Sequence, residues 1–214
     1  MKNLHDKVWY ACYGSNILEE RFLCYVRGGQ PNGAKRTYDG CGDKTLPDAN
    51  EDFHISSELY FAKESENWEN GGVAFIRTSF EPGVSTIGRI YLVTKGQLTD
   101  IARQETNTKQ GLTIDFDRAI EDGSYIFKRP SSYGNIVYLG PQNGYPIFTL
   151  TNENDLQQLT KPSKNYIETI SRGIREAHNL DDKTILEYLR SKGGINGNYD
   201  DKELLEIITS DKIV

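Results

Sequence analysis

The chain is 214 residues long and is poor in the features that mark several broad classes of protein. It has three cysteines, Cys12, Cys24 and Cys41, and no Cys-x-x-Cys spacing. That excludes a framework of paired disulfides, and a reduced, cytoplasmic protein is the expectation. The three histidines, His5, His54 and His178, lie far apart and none has a neighbour at ligand spacing, so no metal site is expected. No apolar run approaches the ~20 residues that cross a bilayer. The opening Met1–Lys7 lacks the apolar centre of a signal peptide. Basic excess is missing too: Lys and Arg number 25 against 31 Asp and Glu, a net charge of −6. Such a balance favours neither nucleic acid nor an anionic membrane as partner. There is no internal repeat and no low-complexity tract.

What is present suits a soluble globular protein with one sizeable core: hydrophobic residues make up 36% and charged residues 26%. A single domain over residues 1–214 is expected. Val8–Tyr13 has the aromatic and small apolar side chains of a buried strand. Gly14-Ser15 breaks it, and Leu18, Phe22, Tyr25 and Val26 then follow at helical spacing. Asn16 as N-cap with Glu19 three residues on makes a capping-box pattern, and Gly28-Gly29 ends the helix. Gln30–Phe53 is rich in Gly, Pro, Asn, Asp and Lys and reads as a long connection. A connection of that length is either a lid or pocket wall, or a solvated excursion.

Further strands are expected at Glu58–Ala62, Gly71–Ile76, Thr86–Val93, Thr113–Phe116, Ser124–Lys128, Asn135–Leu139 and Tyr145–Leu150, with a polar turn over Glu64–Asn70. Short strands at this spacing predict an antiparallel or mixed barrel, so the fold class is α+β. Helices are expected from Thr94-Lys95-Gly96-Gln97, another capping box, to about Thr106, and in the last third from Pro162-Ser163, over Lys183–Lys192 and over Asp201–Thr209.

Two places carry chemistry. The strand–glycine–helix junction at residues 13–17 leaves several backbone N–H groups pointing one way, which suits an anion or a developing oxyanion. On spacing alone, an ordinary strand–turn–helix junction is the simpler reading. The second place is Glu105, which falls on the same helical face as Leu98, Ile101 and Ala102. Burial there would raise its pKa from about 4.3 towards the range of neutral-pH proton exchange. Alternatively it swings out to water at the helix end, or pairs with a buried arginine such as Arg89. Other arrangements are weaker. A Cys–His pair of Cys12 or Cys41 with His54 stays open, since such groups meet in space. Ser15 lacks the Gly-x-Ser-x-Gly of a nucleophile elbow and reads as a turn residue.

Four segments, in order, resemble the gamma-glutamylcyclotransferase-like family. They are Tyr13-Gly14-Ser15-Asn16-Ile17, with Ile where the family has Leu; Ser65-Glu66-Asn67-Trp68 with Gly71-Gly72-Val73-Ala74; Gly88–Glu105, ending in a Gln-Glu pair; and Pro162-Ser163-Lys164-Asn165-Tyr166 with Ile170 and Gly173. The resemblance implies a mixed barrel surrounded by helices. It also implies cleavage of a gamma-glutamyl amide by its own alpha-amine, releasing 5-oxoproline and a free amine or amino acid. Glu105 would be the general acid/base, and Tyr13, Gly14, Ser15, Asn16, Ile17 and Tyr166 would bind the substrate. No metal and no organic cofactor are called for. The long connection and the helical tail exceed the small animal enzymes of this type, which leaves the leaving amine open. A homodimer is left open as well. Two rival readings stand beside this one: a binding module for a gamma-glutamyl-like ligand, and a hydrolase in which Glu105 activates water and free glutamate is the product.

Overall fold

The structure is a computed structural model that describes residues 6–31, 34–109 and 111–210. The chain divides into two compact units and passes between them several times. One holds the described residues up to Cys12, Glu20–Phe53 and Arg89–Glu153; the other holds Tyr13–Glu19, His54–Gly88 and the described residues from Asn154 onward.

A six-stranded mixed sheet has most of its residues in the first unit: β1 (Lys7–Cys12), β2 (Asn50–Ile55), β5 (Thr86–Thr94), β6 (Ser124–Ile126), β7 (Asn135–Gln142) and β8 (Tyr145–Thr151), in the order β2-β5-β1-β8-β7-β6. β1 runs antiparallel to β5, pairing Val8 with Val93 and Tyr10 with Tyr91, and parallel to β8, pairing Trp9 with Ile147. A strand with neighbours on both sides needs apolar residues on both faces, and Val8 to Cys12 are all buried. The α+β class agrees with the sequence. The closed barrel does not: β2 and β6 are free ends of the strand order. β6 has three residues, and β2 (Asn-Glu-Asp-Phe-His-Ile) exposes Asn50, Asp52 and His54. A charged or very short edge strand resists further pairing.

This unit also carries three helices, α1 (Glu19–Arg27), α2 (Lys95–Glu105) and α3 (Phe116–Asp122). Phe22 of α1 stacks on Tyr91 of β5 with ring centroids 3.8 Å apart. The strand expected at Thr113–Phe116 is absent. Asp115 accepts from the N–H of Arg118 and starts α3 instead, a cap signal that outweighs a short apolar run. β2 was hidden within the expected connection, because its polar alternation lacks β-branched residues apart from Ile55.

The second unit has a two-stranded sheet, β3 (Leu59–Ser65) and β4 (Gly71–Ile76), and the helices α4 (Lys164–His178), α5 (Asp182–Arg190) and α6 (Asp201–Thr209). β3 carries a bulge at Lys63, with φ of 55°, where the expected polar turn begins. Ser163, Asp181 and Asp200 cap the three helices, each accepting a backbone N–H three residues on. Ile167, Ile170 and Ile174 give α4 its buried stripe, at spacings of three and four.

Candidate functional site

In the second unit, three of the four recognised segments meet. The turn after β1 is a single 3₁₀ turn, Ser15–Ile17, entered through Gly14. The Ile17 N–H closes it on the Gly14 carbonyl at 3.0 Å, and the Leu18 N–H reaches Ser15 O at 3.3 Å. Two expectations are corrected here. Asn16 is not an N-cap with Glu19: it lies inside the turn, Leu18 is extended, and α1 starts afresh at Glu19. The Ile17 amide is used by the turn itself and does not point at a ligand. Tyr13, Ser15 and Asn16 are buried to within 8% of their full exposure, and Ile17 is wholly buried.

Glycines let the other segments close on this turn. A Cβ at Gly173 of α4 would stand 2.5 Å from the Leu18 nitrogen and 2.8 Å from the Ile17 carbonyl carbon, so only glycine lets the helix approach this closely. A Cβ at Gly72 would stand 2.3 Å from Thr160 O, and the Gly72 N–H donates to Lys161 O at 2.9 Å. β4 is thereby held against the residues that lead into α4. Tyr166 follows one turn in. Its ring packs on Trp68, with centroids 4.5 Å apart, and its hydroxyl accepts the Ala74 N–H at 3.2 Å. A Cβ at Gly14 would lie 2.9 Å from that hydroxyl. Tyr166 therefore supports the turn from beneath; it is 3% exposed.

The fourth segment lies in the first unit. Its strand, β5, enters α2 through the expected capping box: Thr94 Oγ1 accepts from Gln97 N at 3.1 Å, and Gln97 Oε1 from Thr94 N at 3.0 Å. Leu98, Ile101 and Ala102 are fully buried, whereas Glu105, the last helical residue, is half-buried. Its carboxylate bears on two buried groups. The Tyr25 hydroxyl is pushed well above its ordinary pKa by burial first and the Glu105 charge second. The Cys12 thiol is raised by burial, opposed by Arg89, with a smaller upward push from Glu105. Arg89 donates through Nε and Nη2 to Asn50 Oδ1 at 3.0 and 2.6 Å and lies over the Tyr91 ring. Tyr38 packs on Tyr25, with centroids 4.1 Å apart, and its hydroxyl accepts from Arg21 Nη2 at 3.0 Å.

The connection that the sequence leaves as lid, pocket wall or excursion has a defined path. It is laid along α2. Gln97 donates to Asp43 O and Thr45 O at 3.2 and 2.8 Å, Asp100 Oδ2 accepts from Gly42 N at 2.8 Å, and Gln104 Oε1 accepts from Gly40 N at 3.2 Å. Residues 97, 100 and 104 make one stripe at spacings of three and four. That polar stripe, beside a glycine-rich stretch, was the signal available in the sequence. Cys41, within the connection, turns its thiol to Tyr25 O and Gln97 O at 3.4 and 3.6 Å, and burial pushes that thiol up to about 12. Among the described residues no group of three or more His, Cys, Asp or Glu could hold a metal ion. No described helix is long and apolar enough to cross a membrane.

No family model matches the chain. A curated relative from Arabidopsis thaliana, named histone deacetylase 5, is 32% identical over 202 residues. The match takes 85% of this chain and 30% of that protein, so the chain spans less than a third of its relative's length. Two solved structures are similar along nearly their whole length. An uncharacterized protein from Homo sapiens has a TM-score of 0.50 at 19% identity, over 95% of this chain and 98% of that one. A gamma-glutamyl cyclotransferase has 0.49 at 20% identity, over 96% and 99%. The human structure establishes a shared fold. The chain resembles the gamma-glutamylcyclotransferase-like family through its four segments.

Proposed function

We propose that this protein cleaves a gamma-glutamyl amide by attack of the substrate's own alpha-amine on its gamma-carbonyl. The new C–N bond closes a five-membered ring, the amide C–N bond breaks, and 5-oxoproline leaves with a free amine or amino acid. The nucleophile is already part of the substrate, so holding it in a near-attack geometry supplies much of the acceleration. The remaining work is proton transfer. Glu105 takes a proton from the alpha-ammonium group and returns it to the departing nitrogen, a role one carboxyl can fill in turn. The turn at Tyr13, Gly14, Ser15 and Asn16 binds the substrate, its backbone N–H groups suited to the carboxylate or to the developing oxyanion. Tyr166 acts through the turn it supports, and Ile17 through the 3₁₀ geometry it closes. The substrate is a small molecule, and the steps ask for no cofactor.

The observation that carries this reading is Glu105: a half-buried carboxylate whose charge is felt by the buried Tyr25 and Cys12, in the segment that ends in the family's Gln-Glu pair. A carboxylate in such surroundings is a candidate proton carrier. The reading is tested by incubating the protein with a panel of gamma-glutamyl amino acids and amines and identifying products by mass spectrometry. 5-Oxoproline with the matching free amine is expected. Free glutamate in its place would assign hydrolysis, and binding of panel members without any product would assign a binding module.

A further inference from the structure

We infer that Gln104 is a positioning residue for Glu105, and that the connection between α1 and β2 serves to hold the end of α2 through it. The inference rests on the reading of Glu105 as the proton carrier. Glu105 is the last residue of its helix. The last turn of a helix has carbonyls without intrahelical partners and tends to fray. A carboxylate that must meet two nitrogens in succession is badly placed on a fraying end, because a displacement of about 1 Å costs about 100-fold in rate.

Gln104 removes that freedom. Its side chain is 4% exposed and uses its acceptor and both donors: Oε1 takes the Gly40 N–H at 3.2 Å, and Nε2 donates to Tyr25 O at 3.0 Å and Asp100 O at 3.2 Å. An amide with both donors and its oxygen engaged has one orientation. The Gln104 carbonyl accepts the Asn107 N–H at 3.3 Å and also Arg36 Nη2 at 2.7 Å, and Arg36 is steadied over the Tyr38 ring at 4.8 Å. α1, the connection and α2 are thus tied at the residue directly before Glu105. Behind it, Thr106 returns both its N–H and its hydroxyl to Ala102 O, at 3.0 and 2.8 Å. The backbone on either side of Glu105 is fixed, and with it the direction in which the carboxylate leaves the helix.

The test uses the full chain and a substrate identified from the panel. Gln104→Met keeps the length and apolar stem and removes the three side-chain hydrogen bonds. kcat is expected to fall about 10- to 100-fold with KM changed less than about threefold. Amide exchange across residues 102–106 should quicken. Gln104→Glu adds a readout that packing alone does not move. Ionised, it still accepts from Gly40 but opposes the Tyr25 and Asp100 carbonyls. Protonated, it regains a donor. Its kcat relative to the native chain should therefore rise as pH is lowered from 8 to 6. Should Gln104→Met fail to fold, Arg36→Met removes the carbonyl anchor from a half-buried position, with an expected loss of about three- to tenfold in kcat. Unchanged exchange, or kcat within twofold of native in the variants, overturns the inference while leaving the Glu105 reading intact. A native chain that forms no 5-oxoproline, or a Glu105→Gln variant at the native rate, overturns the Glu105 reading and the inference with it.

Discussion

Each of the two units is consolidated internally, and by a different means. In the second, the recognised segments close on one another by backbone approach: Gly14, Gly72 and Gly173 each stand where a Cβ would lie 2.3 to 2.9 Å from another atom. In the first, α2 is tied by side-chain polar bonds from Gln97, Asp100 and Gln104 to a segment with no regular structure. Close backbone approach tolerates no added atom. Polar ties to a helix surface can be cut singly. Substitutions at the close approaches of the second unit should therefore cost more stability than single cuts in the polar ties of the first.

The largest expected effect belongs to Gly173→Ala. Its Cβ would meet backbone of the 3₁₀ turn rather than a flexible side chain, and overpacking of this kind costs about 1–3 kcal/mol or more. Thermal or denaturant unfolding measures it, and a loss below about 0.5 kcal/mol would show that the turn yields easily. Tyr166→Phe comes next. It removes the hydroxyl that accepts from the buried Ala74 N–H, at an expected cost of about 1 kcal/mol. The same hydroxyl is what a methyl at Gly14 would strike. Gly14→Ala should thus be milder in the Tyr166→Phe background than in the native chain, a coupling that a double-mutant cycle reads directly.

In the first unit, Thr94→Ala removes one half of the capping box and should cost about 1 kcal/mol. Cys41 offers a smaller test. Its thiol ionises at about 12 in the folded chain, against 9.0 ordinarily. Unfolding then releases a proton between those values, so stability falls as pH rises from about 9, and Cys41→Ala should flatten that slope. The smallest change is expected at Ser171→Ala in α4, where the fully buried hydroxyl has no hydrogen-bond partner among the described residues. Stability should be unchanged or slightly higher.

The difference between the units also separates what the sequence made legible from what it hid. Strands and helices with a strong period were readable: β1, β4, β5 and α6 lie within a residue of their expected bounds. So was the Thr94–Gln97 box, because both residues reach only local backbone. The capping box at Asn16 had the same spacing and failed. At Gly173, α4 comes so close to Ile17 and Leu18 that a Cβ would meet their backbone, and the chain takes a tight 3₁₀ turn there. The barrel failed for a related reason, since short strands do not reveal whether the outermost two find each other. Glu105 was legible from its place on a helix face. Its support was not, because Gln104, Gly40 and Arg36 are far apart in sequence and carry no period in common.

The most direct test of the account is the rate of 5-oxoproline release by the native chain beside Glu105→Gln, with the best substrate of the gamma-glutamyl panel. The side chains are nearly the same size, so the comparison isolates the exchangeable proton. A ring product from the native chain and a fall of about 100-fold or more in the variant is the predicted result. A variant within tenfold of the native rate would contradict the role of Glu105.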